Sequence, residues 1–157
     1  MREIYELFKF APTSVNCNPA KILFVKSPEE KARLVACVNP GNVEKTRTAP
    51  VTAIIGMDMD FYENLPKLFP HADAKSWFVG KEGFIESTAF RNSSLQGAYL
   101  IMAVRALGLD CGAMSGFDAD KINTEFFPNG RVKVNFLLNI GYGNSASLIP
   151  RHPRPSF

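Results

Sequence analysis

Residues 84–107 form the longest element of this chain, and the composition of their second half limits how the molecule can fold. Ala98-Tyr99-Leu100-Ile101-Met102-Ala103-Val104 is apolar all round, and a helix of that kind must be covered on every side. The first half alternates apolar and polar groups, with Arg91-Asn92-Ser93-Ser94 on its polar part. In a chain of 157 residues the neighbouring elements can hardly enclose such a helix alone. A second copy of the chain is the economical cover, so a homodimer is predicted, with Arg91–Ser94 structural at its interface. Gly108 ends the helix.

The other elements follow from local signals. Ile4, Tyr5, Leu7 and Phe8 recur at helical spacing, which predicts a helix over residues 2–10. It starts at the first residue with no cap before it, which suggests that the native protein begins earlier. Residues 20–25 read as a buried strand, and Ser27-Pro28-Glu29-Glu30 carries an N-cap, Pro at the first helical position and acids in the first turn. That helix should run to about residue 38. A short polar helix is expected over 43–47 and a second buried strand over 50–57. Residues 58–82 are punctuated by Pro66, Pro70 and Gly80 and are read as two short helices forming a lid or dimer-covering excursion. A short strand over 109–113 leads to Ser115-Gly116-Phe117-Asp118, which has the spacing of a capping box opening a further helix. Residues 132–140 form the last strand, and the proline-rich residues 150–155 an extended arm. Strands interleaved with helices predict one α+β domain over 1–157, a mixed central sheet of about four strands flanked by helices.

Composition excludes several functions. A net charge of +3, spread along the chain, gives no basic stripe for nucleic acid. No apolar run is long enough to span a bilayer. Three cysteines without CxxC spacing suggest free thiols in a reducing cytoplasm and no zinc site. His71 and His152 belong to no metal or triad motif. Asp58, Asp60 and Glu63 read as a solvated loop, with nothing assigned to tune them. No glycine-rich phosphate loop or dinucleotide fingerprint follows a strand.

Ala11-Pro12-Thr13-Ser14-Val15-Asn16-Cys17-Asn18-Pro19-Ala20 is richer than a helix-to-strand connection requires. Its prolines fix the backbone, while Ser14, Asn16 and Asn18 offer donors and acceptors at alternate positions. Two readings stand side by side: hydrogen bonding to its own turns, or presentation of amides to a flat polar ligand.

The order Pro-Thr-Ser-x-Asn-x-Asn-Pro before a strand resembles the Pro-Ser-Ser-x-Asn-x-Gln-Pro segment of the nitroreductase-like flavoproteins, with Asn18 in place of Gln. The resemblance runs over nearly the whole length. It implies that Pro12, Thr13, Ser14, Asn16 and Asn18 lie along the ring of FMN, and that Asn42 and Lys45 contact its pyrimidine edge. It further implies that the backbone of Ser115 and Gly116 lies beside O4 and N5, and that Arg151, with Arg154 near it, reaches the phosphate. No catalytic side chain and no metal are implied, because the flavin carries the chemistry. The expected activity is an NAD(P)H-dependent, FMN-containing oxidoreductase, a homodimer acting on a small molecule. The likeness is closest to the malonic semialdehyde reductase branch of pyrimidine degradation, through residues 65–74, 89–94 and 114–118. The family's first, phosphate-binding helix of Arg-x-Ser-x-Arg type is absent. That absence keeps two alternatives open: a non-catalytic or cofactor-poor dimeric relative, or a flavin-binding storage protein.

Overall fold

A computed structural model describes residues 1–157. Its centre is β2 (Val51–Asp58), all eight of whose residues are buried. A strand buried on both faces must be covered on both, and its alternation shows by what. Ala53 and Ile55 pack with Ile4 and Phe8 of α1 (Arg2–Phe8) and with Leu100, Ala103 and Val104 of α5 (Glu82–Ala106). Ile54 points the other way, among Leu34 of α2 (Pro28–Val35) and Ile122 of α6 (Ala119–Phe126).

Four strands make the sheet, in the order β1 (Ala20–Val25), β2, β4 (Val132–Gly141), β3 (Asp110–Met114). Every pairing is antiparallel, not mixed as the strand–helix alternation suggested. Two helices, α2 and α3 (Pro40–Thr48), lie between β1 and β2. Helices between strands do not dictate parallel pairing: β3 and β4, joined through α6 alone, are antiparallel too.

Caps place the helix ends. The Ser27 hydroxyl accepts from the Glu30 N–H at 3.2 Å, as expected. At α6 the expectation fails: the cap is Asp118, whose carboxylate accepts from the Lys121 N–H at 3.1 Å. Ser115 and Gly116 therefore precede the helix and do not open it. The α2 helix stops at Val35, short of residue 38, and α3 is longer than expected.

The long α5 helix rides on β4 at close range. A Cβ at Gly97 would lie 2.4 Å from the Phe136 ring, so only glycine allows this approach. Its sequence is apolar all round, but its own chain covers one side only. Leu100 and Val104 are inaccessible, while Phe90 is 54 % and Met102 69 % exposed.

Residues 58–82 hold short helical turns, as expected, and are anchored by a small core. A 3-10 turn (Phe61–Asn64), α4 (Leu65–Leu68) and a second 3-10 turn (Ala74–Trp77) fold onto their own core of Phe61, Leu65, Ala74 and Phe78, with Cys17 and Met57. Asp58 is not solvated. It is 1 % exposed and accepts two bonds from the Arg131 guanidinium, at 2.8 and 2.9 Å, with Lys21 at 3.3 Å.

Candidate functional site

The segment between α1 and β1 is bound to its own protein more thoroughly than a ligand-presenting loop need be. Ser14–Asn16 make one 3-10 turn, with φ of 46° at Val15 and 51° at Asn16, followed by 42° at Asn18. A β-branched residue in the left-handed region is a true outlier, and such strain persists only where surroundings enforce it. Here the enforcement comes from one stripe of α5. Asn92 Oδ1 accepts from the Ser14 N–H at 2.8 Å. Gln96 Oε1 accepts from the Ala20 N–H at 2.8 Å, while its Nε2 donates to Asn18 Oδ1 at 3.1 Å. The Tyr99 hydroxyl donates to the Pro12 carbonyl at 2.9 Å. Positions 92, 96 and 99 share one helical face.

The amides expected to face a ligand are largely engaged. Asn16 Nδ2 donates to the Leu68 carbonyl at 2.8 Å, and Asn18 Nδ2 donates to Asn16 Oδ1, also at 2.8 Å. The Thr13 hydroxyl accepts from the Asn18 N–H at 3.2 Å. Both sequence readings of this stretch therefore hold in part: it bonds to itself, and it leaves Pro12 and the Ser14 hydroxyl exposed. Cys17 is buried beneath, and burial pushes its thiol up to about 11 against smaller opposing hydrogen bonds from Thr13 and the backbone.

A second cluster forms between α3 and the end of β3. Asn42 Nδ2 donates to the Gly116 carbonyl at 2.8 Å, and the Asn39 N–H donates to the same oxygen at 3.0 Å. A Cβ on Gly116 would lie 2.6 Å from Asn42 Nδ2, so the contact requires glycine. The N–H groups of Ser115 and Gly116 have no partner within the chain, and neither has the ammonium of Lys45. Three donors without acceptors, one of them charged, lie next to a held carboxamide. That set suits an anionic or carbonyl-rich ring edge.

The two clusters do not meet within one protomer. Residues 12–18 lead into β1 and residues 115–116 leave β3, the opposite edges of the sheet. Three inter-strand spacings separate them, about 14 Å, and no hydrogen bond joins them. Arg151 and Arg154 join neither group. The arm leaves β4 beyond Gly141, which pairs with Asp110 at the end of β3 away from Met114. Arg154 donates only to the carbonyls of His152 and Pro153, its own neighbours.

The clamp of Asn92, Gln96 and Tyr99 escapes a reading by motif. Its one signal in the sequence is the i, i+4, i+7 spacing of three hydrogen-bonding side chains where the polar half of the helix gives way to the apolar half.

Residues 1–142 match the profile described as the nitroreductase family. The chain belongs to the nitroreductase family. A protein of Polynucleobacter asymbioticus, provisionally named NADH dehydrogenase/NAD(P)H nitroreductase, is 78 % identical over 157 residues, all of this chain and 80 % of its own length. One of Burkholderia lata with the same provisional name is 59 % identical over the same span. Among solved structures, a nitroreductase-like protein of Bacillus subtilis superposes with a TM-score of 0.86 at 21 % identity, covering 99 % of this chain and 82 % of its own. Another, from Exiguobacterium sibiricum and solved in complex with FMN, gives 0.85 at 24 % identity, covering 99 % and 81 %. These structural likenesses establish the nitroreductase fold.

Proposed function

We propose that this nitroreductase-family chain is an FMN-dependent oxidoreductase that uses NAD(P)H and works as a homodimer. The Asn42–Lys45–Gly116 cluster of one protomer would face residues 12–18 of its partner. The observation that carries the reading is the separation of two half-sites on opposite sheet edges, beside an α5 face that leaves Phe90 and Met102 uncovered. A second copy can close both deficits. The FMN complex of the Exiguobacterium relative and the names of the curated relatives support the cofactor and the co-substrate.

The residues present fit such a group. FMN, when bound, would supply hydride acceptance and donation. Asn42, with one N–H committed to Gly116, keeps its Oδ1 free to accept an imide N–H. Lys45 offers an unpaired ammonium to balance negative charge on the ring, and the Ser115 and Gly116 N–H groups offer neutral donors. Pro12 and the Ser14 hydroxyl would line the opposing wall. Three free cysteines agree with a cytoplasmic setting, and no helix is long and apolar enough to cross a membrane.

The acceptor we assign is a small carbonyl or nitro compound. A semialdehyde rests on the likeness of residues 65–74, 89–94 and 114–118 to one branch of the family; a nitro compound rests on the relatives' names, and a quinone is the further acceptor that the family resemblance suggests. A cofactor-poor dimeric relative is the competing reading, favoured by Arg154, which within the protomer donates only to the carbonyls of His152 and Pro153. Titration with FMN, followed by flavin fluorescence, separates the two: quenching at micromolar concentration is expected. Anaerobic addition of NADH or NADPH should then bleach the flavin band, and steady-state assays with malonic semialdehyde, nitrofurazone and menadione rank the acceptors. Protein that takes up no FMN excludes the enzyme; bound flavin that neither nucleotide bleaches would point to storage.

A further inference from the structure

Beneath α3 lies a buried ammonium that the proposed reaction does not use. Lys31 of α2 is 7 % exposed. Its Nζ donates to the Thr46 carbonyl at 2.6 Å and to the Thr52 hydroxyl at 3.0 Å. Thr52 donates onward to Asn139 Oδ1 at 2.7 Å. Asn139 Nδ2 then donates to the Lys45 carbonyl at 3.0 Å and approaches Met114 Sδ at 3.6 Å. The Thr46 hydroxyl approaches the same sulfur at 3.8 Å. Burial lowers the Lys31 ammonium below its ordinary value, as desolvation of a cation should.

The acceptors in this chain of bonds are not scattered. The Thr46 carbonyl lies in the last turn of α3, where helix carbonyls lack intrahelical partners and a cation is favoured; the Lys45 carbonyl beside it accepts from the Ala49 N–H at 3.2 Å as well as from Asn139. That helix carries Asn42 and Lys45. Met114, the other terminus of the network, is the last residue of β3 and is followed directly by Ser115 and Gly116. The network thus grips both arms that meet in the Asn42–Gly116 hydrogen bond. An apolar side chain at position 31 would pack against the same groups without linking them, and a buried charge is weak evidence for a purely stabilising role.

We propose that Lys31 is a positioning residue which, through Thr52 and Asn139, sets α3 and the end of β3 in register so that Asn42, Lys45 and Gly116 address one ligand. The functional half of this statement rests on the flavin reading above; the placement half does not. Lys31 touches no reacting atom and acts through the helix above it.

The test uses the full chain carrying Lys31→Met, with two readouts. Amide hydrogen exchange without ligand should rise over residues 40–46 and 115–117 and stay unchanged over residues 12–20, which hang from α5. FMN should bind about tenfold more weakly, the order expected when a buried carbonyl loses its donor, and the midpoint potential of the bound flavin should move. If Lys31→Met does not fold, Thr52→Val breaks the same chain of bonds and should give the same exchange pattern. Unchanged exchange at residues 40–46 and 115–117, or a rise spread evenly over the protein, overturns the proposal. So does weaker FMN binding with an unaltered potential, since a merely structural lysine predicts that. Should the unmodified protein take up no FMN while the exchange pattern holds, the flavin reading falls and the placement by Lys31 stands.

Discussion

Asn42 and Gly116, 74 residues apart, share a hydrogen bond of 2.8 Å that ties the first half of α3 to the segment leaving β3. The bond exists because Gly116 has no side chain: a Cβ there would stand 2.6 Å from the Asn42 nitrogen. Gly116→Ala therefore has to displace the carboxamide. Because that carboxamide ends a rotatable side chain, the stability loss should stay near about 1 kcal/mol. The expected result is FMN binding weakened about tenfold or more with a melting temperature lowered by only about 2–4 °C. Flavin titration and a thermal melt of the same preparation check it, and an unchanged affinity would detach Gly116 from the site.

A second outcome concerns the strained loop. Asn92 is 1 % exposed and accepts from the Ser14 N–H, holding a turn in which Val15 has a φ of 46°. Asn92→Ala leaves that N–H without a partner, while the Thr88 carbonyl loses only a second donor beside its helical one. A loss of about 1–3 kcal/mol is expected, lowering the melting temperature by about 3–10 °C in a chain of this size. Calorimetry measures it, and a loss within about 0.5 kcal/mol would mean that the turn holds itself.

Acid should expose the role of Asp58. Burial alone would raise its pKa, but the Arg131 fork, the Asp60 N–H and Lys21 overcome this and hold it below the ordinary value. A carboxylate depressed in the folded state contributes stability above its unfolded pKa of about 4 and loses it as pH falls through the folded value. Stability of the unmodified protein should therefore decline below about pH 4 by a component that Asp58→Asn lacks. At neutral pH that variant should be less stable by about 2 kcal/mol. This is less than a fully buried pair would lose, because the Arg131 side chain is 40 % exposed. Denaturant melts across pH give both curves; parallel curves would refute the assignment.

Thiol reactivity should rank by burial. Cys17 is 1 % exposed with its thiol pushed up to about 11, and Cys37 is buried and raised as well. Cys111 is half-buried, its thiol raised by burial against the pull of Arg105. Alkylation of native protein at pH 8, mapped by mass spectrometry, should mark Cys111 first and Cys17 only on unfolding, since the thiolate is the reacting form. Early labelling of Cys17 would show that the loop above it opens.

Much of the fold was legible in order along the chain. The Ser27 cap, the Pro28 helix start and the long helix before Gly108 are local events, readable within a few residues. Asn42 and Gly116 were singled out only through resemblance, and what the structure adds is the hydrogen bond that joins them. The mixed sheet and the Ser115 capping box were misread for one reason: each depends on how the chain returns. A strand–helix alternation does not fix the direction in which the returning strand pairs, and a Ser-x-x-Asp spacing does not say which residue stops being extended.

The amino-acid sequence alone determined the element order, the apolar α5 helix that demands covering, and the proline-and-amide segment before β1, because periodicity, capping and proline geometry act over short distances. Only the tertiary structure decided that Asp58 is a buried ion-pair anchor, that Lys31 and Asn139 underpin α3, and that Asn92, Gln96 and Tyr99 clamp the loop. The physical reason is desolvation. Whether a polar side chain is solvated or held depends on which distant segments exclude water from it, and nothing in its own neighbourhood of sequence records that.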